Sequence, residues 1–263
     1  MGKTKEEKFN FWFSAFLLAC MVIVTIINFI FKINNPNVNL VMQVLASLGA
    51  IMGVTNTVLS ANGSIWTFLF GIIDVAIGTI VYYDSGIMGN FALHAFYFLP
   101  MQFVGLWQWS KRGAKMKATV DENGEQSHLK ARRLTPKQWG LVAAAFVIGV
   151  AVTFTILYFV DKASLAKGAI SEISISKILL DSTVMVLNIL GQVLLSLAFM
   201  EQWYLWILVN IFSIMLWTNR LISPEATGYT IVMLIKYILY LMNSLNGLRI
   251  WLKLSRSQEY THA

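Results

Sequence analysis

The sequence is poor in the residues on which disulfide-bonded and metal-binding proteins depend. Its 263 residues include one cysteine, three histidines and four prolines, and only 13% of them are charged. A single cysteine, Cys20, excludes an intramolecular disulfide and a thiolate metal cluster. His94, His128 and His262 lie too far apart in sequence for the short ligand spacings of zinc sites. We therefore expect neither a bound metal nor a disulfide framework.

The chain also lacks the motifs of intramembrane enzymes and ATP-driven pumps. The pair Tyr83-Asp84 has no Gly-x-Gly-Asp partner, and His-Glu-x-x-His and Gly-x-Ser-x-Gly are both missing. No glycine-rich phosphate loop is present, so direct coupling to ATP within this chain is disfavoured. An intramembrane enzyme is the weaker alternative here, and no cofactor is expected.

Apolar residues dominate what remains. They make up 57% of the chain, and the mean hydropathy is +0.65. Charged residues alone form about a quarter of an ordinary soluble domain, so this composition predicts an integral membrane protein. A span needs about 20 apolar residues. Eight runs meet or approach this length: residues 11–31, 38–60, 64–83, 88–109, 139–160, 178–200, 203–219 and 229–252.

The distribution of lysine and arginine predicts the orientation of these spans. With eight spans both termini share one side, and that side holds most of the basic residues near the span ends. They are Lys3, Lys5, Lys8, Lys111, Arg112, Lys115, Lys117, Lys130, Arg132, Arg133, Lys137, Arg249, Lys253 and Arg256. We therefore expect cytoplasmic termini, and the net charge of +7 requires no nucleic-acid partner.

Two stretches about 140 residues apart resemble each other. In the first, 39 residues separate Trp66 from Gly105, and in the second, 41 separate Trp206 from Gly247. Each glycine is followed four positions later by tryptophan. Internal duplication is common in transporters, where solute binds between the repeats. An odd number of spans per unit, with one span between the units, predicts two parallel triple-helix repeats.

This duplication divides the chain into five parts. We predict an all-α architecture in which an extra N-terminal helix precedes a 3+1+3 arrangement. The parts are 1–37 with the extra helix, 38–109 as the first repeat, 110–177 with the basic loop and linking helix, 178–252 as the second repeat, and 253–263 as a cytoplasmic tail.

Polar and aromatic residues recur at helical spacing in the sixth, seventh and eighth spans. Polar groups inside a membrane need partners, so such stripes mark a bundle interior or a binding site. The candidate binding residues are Trp203, Trp206, Asn210, Asn188, Gln192, Asn243 and Tyr240, with Gln102 from the first repeat. Interface tryptophans and interhelical amide hydrogen bonds remain alternative readings of the same stripes.

The first repeat carries fewer polar residues at the positions that match these stripes. In the first repeat, Phe70 occupies the position that corresponds to Asn210, and Met101 the position that corresponds to Asn243. We therefore expect an asymmetric cavity with hydrogen bonds mainly from the second repeat. Asp74 and Lys236 are buried in spans, and pairing between them, or a snorkelling lysine, is favoured over proton relay.

The Trp203-Tyr204-Leu205-Trp206 segment followed by Asn210, with Gly105 to Trp109 and Gly247 to Trp251, resembles the PnuC family of bacterial vitamin transporters over roughly residues 38–252. The resemblance implies facilitated diffusion of nicotinamide riboside across the bacterial inner membrane, trapping by cytoplasmic phosphorylation, a SWEET-like fold and a homotrimer. Another vitamin such as thiamin is the alternative substrate on the same scaffold.

Overall fold

The computed structural model describes residues 5–32, 39–112, 129, 131–168, 172–224 and 226–256. Nearly all of the described chain is helical. The helices are α1 (Lys5–Lys32), α2 (Leu40–Ala61), α3 (Thr67–Asp84), α4 (Met88–Leu93), α5 (Leu99–Lys111), α6 (Pro136–Ala166), α7 (Ile175–Ser196), α8 (Gln202–Leu221) and α9 (Thr230–Arg256). A π-helical turn, His94–Phe98, joins α4 to α5 into one rod.

Each predicted span coincides with one helical rod, and the fourth is the α4–α5 rod. Six helices of the described chain are long and apolar enough to cross a membrane: α1, α2, α3, α6, α7 and α9. Most of the predicted basic loop, Lys3 and most of the tail lie outside the described residues, as do His128 and His262.

Local sequence signals fix several helix ends. Asn39 caps α2 by accepting from the backbone N–H groups of Val41 and Met42 at 3.1 and 3.2 Å. Thr135 and Gln138 form a capping box at the start of α6, where Pro136 occupies the first turn. These caps satisfy backbone donors that have no partner within the helix.

The π-helical turn in the fourth rod has a cause in the sequence. Pro100 has no N–H, and its ring would clash with the carbonyl of Phe96 in a regular α-helix. The helix widens there, and the N–H of Leu99 donates to the carbonyl of His94, five residues earlier. The turn contains His94 and Phe98, whose side chains reach the bundle interior.

The helices surround a common interior, with two of them peripheral. Within the bundle, α3 packs on α2 and α5, and α8 packs on α7 and α9, while α2 meets α9 and α5 meets α7. Helix α1 packs outside against α2 and α9 through Leu17 and Met21. Helix α6 has no buried residue and contacts α7.

Candidate solute-binding site

A cavity of ≈ 120 Å³ lies in the middle of the bundle, where α2, α3, the fourth rod, α7, α8 and α9 meet. Helices α2–α5 contribute the polar side chains of Asn56, Thr57, Ser60, Asp74, His94 and Gln102. Helices α7–α9 contribute Asn188, Gln192, Trp203, Trp206, Asn210, Tyr237, Tyr240 and Ser244. Amides, hydroxyls and aromatic rings therefore make up most of the wall.

Seven of the eight residues predicted from the sequence line this cavity. They are Trp203, Trp206, Asn210, Asn188, Gln192, Tyr240 and Gln102. The eighth, Asn243, is 2% exposed on α9 and is not among the lining residues. Its neighbour Ser244 lines the wall instead. Spacing of three and four residues put Asn243 on the same broad helical face as Tyr240, but that face is wider than the part in contact with the cavity.

Two tryptophans on α8 are held in place by close contact with glycines. Trp206 lies against Gly191 of α7, where an added Cβ would stand 3.4 Å from the indole. Trp203 lies against Gly247 of α9, where an added Cβ would stand 2.6 Å from Cη2. A side chain at Gly247 would overlap the ring, so that glycine lets α9 approach the indole. Both indoles thereby gain a fixed orientation at the cavity wall.

Three amide side chains of the site, all on α7 and α8, are each anchored by one hydrogen bond. Asn210 Nδ2 donates to Ser244 Oγ at 3.0 Å, which links α8 to α9. Asn188 Nδ2 donates to the carbonyl of Val184 at 2.9 Å, and Gln192 Nε2 donates to Ser196 Oγ at 3.4 Å. A primary amide has two N–H donors and a carbonyl acceptor. Anchoring through one N–H leaves donor and acceptor capacity for a solute.

The predicted pairing of Asp74 and Lys236 is confirmed. Lys236 Nζ donates to Asp74 Oδ1 at 2.7 Å, and Tyr240 Oη donates to Asp74 Oδ2 at 3.2 Å. Asp74 is 8% exposed and Lys236 is 5% exposed. Removing either partner would leave a buried charge without compensation, so the two charges form one structural unit.

The expectation that the first repeat forms the more apolar wall of an asymmetric cavity is wrong. Helix α2 supplies Asn56, Thr57 and Ser60, and the fourth rod supplies His94 beside the predicted Gln102. Asn56 and Ser60 stand one helical turn apart on α2. That spacing of four residues is the signal that would have revealed them.

The cavity is closed at the end where α5 and α9 finish. Trp203 packs on Trp251 with ring centroids 6.1 Å apart, and Trp109 stands 5.6 Å from Trp251. Leu129 and Ala131 cover this cluster. Next to Ala131, the backbone N–H of Arg132 donates to the carbonyl of Ala198 at 2.8 Å, and this bond ties Arg132 to the turn between α7 and α8.

At the opposite end, hydroxyl groups close the bundle. Tyr82 of α3 and Tyr237 of α9 share a hydrogen bond between their hydroxyls. Further out, Tyr229 Oη donates to Asp84 Oδ2 at 2.6 Å and lies 2.9 Å from Ser85 Oγ. Layers of packed side chains therefore lie at both ends of the bundle, on either side of the cavity.

An apolar helical bundle around a central cavity lined by amides and indoles defines a membrane carrier for a small polar solute. No group of histidine, cysteine and acidic side chains that could hold a metal occurs among the described residues. The chain belongs to the nicotinamide mononucleotide transporter family, whose model matches residues 43–253.

Named relatives agree with this assignment. The chain is 33% identical over 252 residues to the nicotinamide riboside transporter PnuC of Neisseria mucosa, covering 95% of this chain and 85% of that protein. It is 29% identical to the Haemophilus influenzae protein of the same name, covering 80% of each. The crystal structure of the vitamin B3 transporter PnuC matches with a TM-score of 0.71 and 31% identity, over 97% of this chain and 94% of that one. The resemblance drawn from the sequence is confirmed, and the chain is a transporter rather than an enzyme.

Proposed function

We propose that this protein carries nicotinamide riboside across the bacterial inner membrane by facilitated diffusion. The observation that carries the proposal is the central cavity, whose wall brings two indoles together with the amides of Asn188, Gln192 and Asn210. The names of the relatives indicate the substrate, since both are nicotinamide riboside transporters. Thiamin, which also has a cationic ring, is the second candidate on the same scaffold.

The chemistry of the wall suits this solute. Nicotinamide riboside has a cationic pyridinium ring, a carboxamide and ribose hydroxyls. Trp203 or Trp206 stacks on the ring and attracts its charge through the indole face. The amides then pair with the carboxamide and the hydroxyls, which would otherwise lose water without compensation.

We propose that transport proceeds by rocking of two parallel triple-helix repeats, α2–α5 and α7–α9, with α6 as the linking helix. The pattern of packing supports this. If α2, α3 and α5 are matched with α7, α8 and α9, each helix contact of one unit has a counterpart in the other. Contacts α2–α3, α3–α5 and α2–α9 correspond to α7–α8, α8–α9 and α7–α5. A solute between the units is then exposed to alternate sides as one unit moves.

Equivalent hydrogen bonds support the same duplication. Trp109 Nε1 donates to the carbonyl of Leu195 at 2.8 Å, and Trp251 Nε1 donates to those of Ser60 and Ala61 at 3.2 and 3.1 Å. Each indole thereby caps the last turn of the first helix in the opposite unit.

The turns after these helices set the register. Helices α3 and α8 begin at Thr67 and Gln202, and their preceding turns share the same backbone bonds at an offset of 135 residues. The expected offset of about 140 is therefore wrong here. Trp66 precedes α3, whereas Trp206 lies inside α8, so the two tryptophans are not equivalent.

The remaining topology follows from the predicted spans. We propose eight crossings, counting the α4–α5 rod and α8, with both termini cytoplasmic and the domain boundaries given above. The tryptophan-lined end then faces the cytoplasm, since Lys111, Arg249 and Lys253 stand there. We also propose a homotrimer, for which the unburied surface of α6 offers a neighbouring face.

Competition in counterflow tests the substrate. Proteoliposomes loaded with unlabelled nicotinamide riboside should take up the radiolabelled compound transiently, and external unlabelled riboside should abolish the signal. Free nicotinamide lacks the ribose and should compete at least roughly ten-fold more weakly. Stronger competition by thiamin than by the riboside would assign the site to thiamin.

A further inference from the structure

One side chain of the cavity wall carries a formal charge, and the amide and indole chemistry does not use it. Among the lining residues of the described chain, Asp74 alone is an acid, and neither lysine nor arginine lines the cavity. Its partner Lys236 is buried on α9 outside the lining. Seen from the cavity, the carboxylate is therefore the near end of the ion pair, and the ammonium is the far end.

The carboxylate is held in this position by three helices. Lys236 and Tyr240, both on α9, each bond one of its oxygens at 2.7 and 3.2 Å. Gly53 of α2 makes room for the group, since a Cβ there would stand 2.7 Å from Asp74 Oδ1 and 2.8 Å from Lys236 Cε. A larger residue at Gly53 would push the pair apart.

The position of the pair gives the wall a local negative pole. A buried ion pair stabilises a fold little compared with a well-packed apolar pair, so its placement at a binding wall points to a role in recognition. Because the carboxylate lies nearer to the cavity than the ammonium does, the pair acts on a solute as a dipole, and in a partly dehydrated site such a dipole favours a cationic ligand by roughly ten-fold.

We propose that Asp74 is the charge-selecting residue of the cavity, favouring a solute with a cationic ring over a neutral solute of the same shape. The proposal rests on the proposed function, because it assigns charge recognition within that same site. Lys236 and Tyr240 are positioning residues that hold the carboxylate in place. The indoles attract a cationic ring through their faces, and the carboxylate adds to that preference.

Two ribosides of equal shape test the idea. Nicotinamide riboside is cationic, and the C-riboside of benzamide has the same ring outline, carboxamide and ribose without the charge. Calorimetric titration of the purified full-length protein should show at least roughly ten-fold tighter binding of the cation. Equal affinities for the two ligands would overturn the proposal while leaving riboside transport intact.

The double variant D74N/K236Q removes both charges and leaves no unpaired ion in the bundle. We expect it to bind the benzamide riboside within about two-fold of the parent affinity, and the preference for the cation to fall to the smaller part that the indoles supply. Retained binding of the neutral riboside also reports a folded site. An undiminished preference for the cation in this variant would overturn the proposal.

Asp181→Asn is the matched control, because Asp181 is an exposed acid on α7 outside the cavity lining. It removes a carboxylate that lies away from the cavity, so the preference for the cation should persist. A loss of preference here equal to that in D74N/K236Q would show that the acid need not line the cavity, and would overturn the proposal. If the unmodified protein binds neither riboside, the proposed function itself fails.

Discussion

At the scale of the residue, Asn210 connects helix packing to recognition. Its amide reaches Ser244 of α9, and it lines the cavity together with Trp206, four residues earlier on the same helix. The side chain therefore holds α8 against α9 and also presents polar atoms to a solute. Spacing in the sequence revealed the pair, because residues four apart share one face of a helix.

Asn210→Leu and Trp206→Ala should each weaken binding of nicotinamide riboside roughly ten-fold or more. The first leaves polar groups of the solute unpaired in a dehydrated site, at a cost of ~1–3 kcal/mol, and the second removes a stacking surface. Calorimetric titration in detergent measures the change. Unchanged affinity in both variants would reassign this face of α8 to helix packing.

Asn243→Leu is the matched control for Asn210→Leu. It removes an equally buried amide from α9, the neighbouring helix, but Asn243 does not line the cavity. We expect affinity for the riboside to stay within about two-fold, since the polar groups of the solute keep their partners. A ten-fold loss would instead restore Asn243 to the binding site, as its spacing had first suggested.

At the scale of the element, close approach of α8 and α9 depends on Gly247. An alanine there would place Cβ 2.6 Å from Trp203 Cη2, so ring or helix must move. We expect Gly247→Ala to lower the free energy of unfolding by ~1–3 kcal/mol through overpacking, and to weaken riboside binding because Trp203 lines the cavity.

A thermal melt of the purified protein and a calorimetric titration check both effects of Gly247→Ala. Gly140→Ala on α6 is the control, since an added Cβ there meets nothing within 4 Å. Alanine favours helix over glycine, so the control should be neutral or stabilising by up to ~1 kcal/mol. Equal melting temperatures for the two variants would contradict the proposed packing.

Trp109 and Trp251 make equivalent hydrogen bonds, so their replacement should have similar consequences. Trp109→Phe and Trp251→Phe each remove an indole donor to the end of a helix, which should cost ~0.5–1.5 kcal/mol beyond the lost volume. Thermal melts should show comparable losses. Trp107→Phe, at a residue 55% exposed, should change little. Destabilisation by only one of the buried variants would contradict the duplication.

The helices were predictable because each apolar run is long enough to signal a span by itself. The spans predicted to end at residues 109 and 252 end as helices at Lys111 and Arg256. The alignment of α3 with α8 was not predictable from Trp66 and Trp206. Trp66 directly precedes α3, whereas Trp206 lies four residues after the first residue of α8, so the two tryptophans do not occupy equivalent positions. The contact of Leu129 and Ala131 with the tryptophan cluster joins segments distant in sequence, and no local pattern indicates it.

At the scale of the whole molecule, the described chain offers a single paired acid at the cavity and a closed layer at each end. Ion-coupled carriers usually use more than one buried carboxylate for the task. Here the Asp74 carboxylate is the single acid at the cavity among the described residues, and Lys236 is paired with it. The architecture therefore favours movement of the solute down its own electrochemical gradient.

Net flux of radiolabelled nicotinamide riboside in proteoliposomes tests this account most directly. With the membrane potential held at zero by equal potassium concentrations and valinomycin, the internal concentration should rise to the external value and stop there, efflux should mirror influx when the gradient is reversed, and Asn210→Leu should slow both. Proton or sodium gradients imposed at zero membrane potential should leave the final distribution unchanged. Accumulation above the external concentration under either ion gradient at zero membrane potential, in vesicles without a kinase, would contradict the account.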